Sequence, residues 1–138
     1  MKKLLLLACT IAFTVGCSSN DDNSSNNSNN NTSITPPAWI QGTWLMEGSQ
    51  NFGYKFYSND ICQTQLTSDV CMKETINLYQ GTQVVTSVSQ QISDTEYKCI
   101  ITISGQKVNY HFQKISATTI KDVNMSNSSG RDVLFIKQ

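Results

Sequence analysis

The sequence predicts an all-β domain, a small up-and-down antiparallel β-barrel of about eight strands over residues 38–138, reached through a signal peptide and a polar tether. Three observations carry this. β-branched and aromatic residues alternate with polar ones at a period of two through most of the second half of the chain. Clusters of Gly, Asn, Asp and Ser interrupt that alternation at short intervals, as tight turns require. No window holds a sustained apolar stripe of 3.6-residue period, so no helix longer than one or two turns is expected.

Taken in chain order, strands are expected at 42–47, 53–58, 73–79, 84–92, 97–104, 107–115, 118–123 and 133–137. The stretch 107–114 is the clearest, with Val108, Tyr110 and Phe112 on one face and Asn109, His111 and Gln113 on the other. The stretch before it repeats the pattern with Tyr97, Cys99, Ile101 and Ile103. Ser104-Gly105-Gln106 joins the two as a hairpin, with Gly where a positive φ is needed. Ser58-Asn59-Asp60, Gln80-Gly81-Thr82 and Ser93-Asp94-Thr95 mark further turns, and 59–70 and 124–130 read as longer loops. Closing such a meander into a barrel removes the exposed edges an open sheet would leave free to aggregate.

Ahead of the domain, Lys2 and Lys3 precede the apolar run 4–15, the pattern of a secretory leader. A helix of that length covers about 18 Å, short of the roughly 30 Å hydrocarbon core, so a permanent membrane span is not expected. Thr14, Val15, Gly16 and Cys17 resemble the lipobox of bacterial lipoproteins, with Thr14 in place of the usual Leu. The resemblance implies a leader of residues 1–16, cleavage that leaves Cys17 first, and acylation of Cys17; more than one hydrocarbon chain is the condition for stable membrane attachment. The residues after Cys17 hold seven Asn and six Ser between Ser18 and Pro37, with Ile34 the only large aliphatic side chain. Such a composition buries too little surface to offset chain entropy, so 17–37 is expected to be a disordered tether. Ser18, Ser19, Asn20, Asp21 and Asp22 are similar to the export signals of surface lipoproteins of the Bacteroidetes. They imply an outer-membrane, lipid-anchored protein exposed on the cell surface, a periplasm-facing one being the alternative.

The domain opens with Trp39-Ile40-Gln41-Gly42-Thr43-Trp44, and Gly42-x-Trp44 resembles the start of the first strand of lipocalin-like domains. In that family the Trp closes the barrel floor and an Arg near the last strand packs across it, which would pair Trp44 with Arg131, the only arginine of the chain. The helix-bearing C-terminal segment of full-length lipocalins has no counterpart here.

Little in the sequence offers catalysis. His111 is the only histidine and falls on a polar face, and Glu47, Glu74 and Glu96 are scattered singly, so neither a nucleophilic triad nor a histidine metal site is expected. The chain is read as a non-enzyme without cofactor or metal. Ten basic residues balance ten acidic ones, which argues against nucleic acid as a partner. Of five cysteines, Cys9 leaves with the leader and Cys17 is acylated; among Cys62, Cys71 and Cys99 one bridge is expected. Cys62 with Cys71 is the preferred pair, Cys71 with Cys99 the alternative, and Cys99 otherwise a buried thiol.

The inward stripes include Tyr54, Phe56, Tyr97, Ile101, Tyr110 and Phe112, which either line a pocket or fill the barrel. Two functions follow. One is a lipocalin-like module that holds a small apolar ligand at the barrel mouth. The other is a side-chain-filled barrel whose loops bind a secreted or envelope protein, as small barrel lipoproteins that inhibit lysozyme do, a comparison of architecture alone.

Overall fold

The computed structural model describes residues 31–138. The expected leader 1–16, the expected acylation site Cys17 and the expected tether up to residue 30 lie outside the described residues. Among the described residues, nine strands form one antiparallel sheet: β1 (Gly42–Met46), β2 (Phe52–Tyr57), β3 (Asp60–Gln65), β4 (Ser68–Cys71), β5 (Thr86–Ile92), β6 (Glu96–Ile103), β7 (Gln106–Lys114), β8 (Thr119–Asp122) and β9 (Leu134–Lys137). Two short helices interrupt them, α1 (Met72–Asn77) and α2 (Val123–Ser129).

The order across the sheet is β4-β3-β2-β1-β9-β8-β7-β6-β5, so first and last strands pair and the sheet curls into a half-barrel. The all-β, antiparallel, meandering expectation holds at that level. Closure does not: β4 and β5, neighbours in sequence, are the two ends of the sheet, and a seam runs between them. The seam exists because the chain leaves β4 into α1 and returns to the sheet only at β5.

The alternation of Ile76 and Leu78 predicts a strand over 73–79; most of these residues belong to α1 instead. Met72 and Ile76, four apart, are its buried face, while Leu78 is 72% exposed. The N-cap residue Cys71 makes no side-chain cap, and the start of the helix is satisfied from the preceding hairpin: the backbone N–H of Lys73 donates to Oδ1 of Asp60 at 2.8 Å. The expected loop 59–70 is largely the β3–β4 hairpin, turned through Leu66, which takes a φ of 55° and donates its N–H to the Asn51 carbonyl at 2.7 Å. Both of its faces are largely polar, so the period-two signal was hidden. The loop at 124–130 holds α2, capped by Asp122 at one end and by Gly130 at the other; a φ of 69° at Gly130 is one that glycine adopts without a Cβ clash.

The start of the domain also shifts. Residues 31–37 run alongside β5 as an arm across the seam, and Ile34 is only 3% exposed within the core cluster. Gln90 clamps the arm: its Oε1 accepts the Thr35 N–H at 2.8 Å, and its Nε2 donates to the Ser33 carbonyl and the Thr35 hydroxyl, each at 3.1 Å. The Val88 N–H adds a bond to the Asn31 carbonyl. The ordered unit therefore includes at least seven residues counted above as tether, because one isoleucine and one glutamine hold a stretch whose average composition reads as disordered.

Candidate functional site

The residues expected to line a pocket meet each other instead. Tyr54 and Phe56 project from β2, Tyr110 and Phe112 from β7, Tyr97 and Ile101 from β6, and all six are buried. β2 and β7 are separated in the sheet by β1, β9 and β8, yet the Tyr54 ring centroid lies 4.9 Å from that of Phe112, and Phe56 lies 5.1 Å from it. Opposite walls are thus in ring contact, in edge-on geometries that add attraction beyond area burial. Phe135 of β9 closes the cluster at 5.0 Å from Tyr54.

Trp44 is fully buried, and its indole N–H donates to the Ile40 carbonyl at 2.6 Å. The cation over its ring is Lys137, at 5.2 Å, and not Arg131. Register decides this: Trp44 and Lys137 face each other across β1 and β9, whereas Arg131 precedes the start of β9 and sits at the other end of the strand. The expected Trp44–Arg131 floor pair is replaced by a Trp44–Lys137 pair.

Cys62 and Cys71 are cross-strand partners of β3 and β4 and form a disulfide, the preferred pairing. Cys99 is buried and free; desolvation pushes its thiol up to about 11. Asp60 lies with the two bridged sulfurs inside 4.8 Å, but the S–S bond occupies both, which leaves a single carboxylate already engaged by the Lys73 and Ile61 N–H groups. His111 lies on the outer face of the sheet beside its cross-strand neighbour Lys98, with its Nε2 buried, 3.5 Å from a Glu96 carboxylate oxygen and without a hydrogen-bond partner among the described residues.

The chemistry that sequence reading missed gathers at α2. Asp122 is buried at its start: Oδ2 accepts the Tyr54 hydroxyl at 3.1 Å and Oδ1 the Met125 N–H at 2.9 Å. The Ser126 hydroxyl donates to the Asp122 carbonyl at 2.6 Å and accepts the Val133 N–H at 2.9 Å. Burial, and then the Asp122 charge, raise the Tyr54 phenol well above its ordinary value. This network locks the β8–α2–β9 corner onto the aromatic core. The signal was present in the sequence as Asp122 opening a helix that ends at Gly130, a start and stop pair inside an assumed loop.

Against this corner lies an apolar groove of about 480 Å3, whose walls include Met46, Met125 and Val133, with Arg131 on its rim. A smaller hollow of about 230 Å3, bordered by Glu47, Asp132 and Leu134, shares Met46, Arg131 and Val133 with it. Arg131 is exposed and forms no ion pair among the described residues, while its neighbour Asp132 is held by Lys121 at 3.4 Å.

Compared with protein-family models, curated proteins and solved structures, the chain matches none.

Proposed function

We propose that the chain is a non-catalytic, lipid-anchored envelope lipoprotein whose lipocalin-like half-barrel serves as a protein-interaction module. The observation that supports this most directly is the contact of opposite walls across the interior, through Tyr54, Phe56 and Phe112. The working surface is then the rim beside α2. Its methionines offer an adaptable apolar seat, its arginine a charge for a carboxylate, and the Asp122 network supplies a rigid base. A secreted or envelope protein that presents an apolar side chain next to an acidic one fits that seat.

The address rests on Lys2, Lys3, the apolar run and Cys17, with Asp21 and Asp22 favouring the cell surface. Thirteen residues separate Cys17 from Asn31, which limits the reach of an anchor to the described domain to on the order of 50 Å. Metabolic labelling with an alkyne fatty acid tests the anchor, the label being lost in Cys17→Ala. A photo-crosslinker at Ser128, beside the groove, tests the rim against one at Ser116, at the opposite end of the sheet. A single protein adduct from Ser128, abolished by Arg131→Glu, is expected. A stoichiometric small apolar molecule retained by the purified protein in native mass spectrometry would instead restore the ligand-carrier reading.

A further inference from the structure

A second concavity lies in the seam, between the arm and α1. It measures about 300 Å3 and is bounded by residues 32–35 on one wall and by Asn59, Lys73, Ile76, Asn77 and Gln80 on the other. Its chemistry differs from that of the rim. Ile34 and Ile76, both buried, form an apolar floor. The side chains of Asn59, Asn77 and Gln80 make no hydrogen bond among the described residues, and the Lys73 ammonium makes no ion pair there. Among the described residues, no carboxylate borders the cleft. Three amides with both donors and acceptors, the hydroxyls of the arm and one unpaired ammonium therefore face a space at the lower end of ordinary ligand-pocket volumes.

The geometry points to a binding site in this cleft for a single hydroxyl-rich ring that carries one anionic group, a uronic acid or a sugar phosphate. Ring hydroxyls donate and accept, which matches carboxamides and threonine or serine hydroxyls and not a ring of charges. The apolar C–H face of such a ring rests on Ile34 and Ile76, and the anionic group reaches Lys73. Both walls are held in place from behind, the arm by Gln90 and α1 by the Asp60 carboxylate, so the groups are arranged before a ligand arrives. Because one wall is the arm, occupancy ties the arm to α1 across the seam and resists its release.

The test is hydrogen–deuterium exchange of the full mature protein in detergent micelles, with glucuronate, glucose 6-phosphate, glucose and acetate as probes at tens of millimolar. Glucuronate or glucose 6-phosphate is expected to slow exchange at least about 5-fold in peptides covering 31–37 and 72–80 and to leave the α2 corner unchanged. Whichever of the two protects more names the anionic group as carboxylate or phosphate. Glucose is expected to protect more weakly, and acetate not at all. Lys73→Gln, an exposed position whose backbone alone is used in the fold, is expected to reduce the charged sugars to the level of glucose. Failure of every sugar to protect these two segments, protection by acetate equal to that by glucuronate, or an undiminished glucuronate effect in Lys73→Gln would each overturn the assignment. The cleft shares no residue with the rim groove, so its failure leaves the interaction reading standing.

Discussion

Ile34→Ala is the sharpest probe of where the domain begins. The side chain is 3% exposed and belongs to the cluster that includes Ile76, Val88 and Tyr97, so its truncation removes about three buried carbons from the core. Substitutions of this kind cost about 2–5 kcal/mol, and the value depends on how well the site collapses. Here the adjacent 300 Å3 cleft lets water and the arm backbone relax into the vacated space, which places the loss in the lower part of that range, about 2–3 kcal/mol. For a domain of this size each kcal/mol lowers Tm by about 4–8 °C, so a fall of roughly 10–20 °C is expected. Urea unfolding followed by tryptophan fluorescence is the assay, since an unchanged slope with a lower midpoint separates lost stability from a changed unfolded state. Ile100→Ala serves as the comparator: that isoleucine lies on the outer face, well exposed, and should cost less than about 1 kcal/mol. An Ile34→Ala loss no larger than that of Ile100→Ala would refute the arm as part of the core and return the boundary to residue 38.

Three further outcomes follow from the same contacts. Cys62→Ala with Cys71→Ala should cost about 2.5–3 kcal/mol, the chain-entropy value for a bridge across nine residues, and reducing agent should lower the midpoint of the native protein by the same amount and leave the variant unmoved. Asp122→Ala should be more damaging than Tyr54→Phe, about 3 against about 1 kcal/mol, because it strands both the phenol and the α2 N-terminus; a double-mutant cycle without coupling would show that the 3.1 Å contact carries no energy. Alkali should unfold the protein cooperatively: burial holds Cys99 up to about 11 from 9.0 and raises the Tyr54, Tyr97 and Tyr110 phenols above 10.0. These folded values exceed the unfolded ones, so the unfolded chain releases the protons first; the stabilisation is complete below pH 9 and falls as pH rises through 9–11 and beyond. Buried tyrosinate absorbance should thus appear together with the loss of circular dichroism, and its appearance in a folded chain near pH 10 would contradict the burial argument.

What the sequence made legible is local. β6 and β7 carry strict alternation of large residues and a Ser104-Gly105 turn with φ of 50° and 81°, and the expected strands match them to within a residue or two. β1, β2, β8 and β9 follow the same rule. The misses share a physical cause, in that the deciding partner is far along the chain or across the sheet. The start of α1 is held by Asp60 of β3 through the Lys73 N–H, and the four-residue spacing of Met72 and Ile76 is too short a signal to outweigh the alternation of Ile76 and Leu78. The arm is ordered because Gln90, more than 50 positions away, bonds it on both sides of Ile34. The cation over Trp44 is the residue placed opposite by register, and register depends on the whole sheet.

The same non-local logic explains why the inward residues were identifiable while their role was not. Alternation shows that Tyr54, Phe56, Tyr97, Tyr110 and Phe112 point inward, but whether they enclose space depends on the distance between opposite walls. A barrel closed by hydrogen bonds all round has its section set by strand number and stagger, and at about eight strands that section is just wide enough for side chains to fill or for one small ligand. A sheet left open between β4 and β5 escapes that constraint, so β2 can settle against β7 until their rings meet at 4.9 Å. The seam then has to be covered by something other than a strand pair, and the arm and α1 are what the chain supplies. Opening the barrel thus lets opposite walls meet through their rings and at the same time creates surfaces at its margins, the groove at the α2 rim and the cleft at the seam, where exposed polar groups lack partners among the described residues.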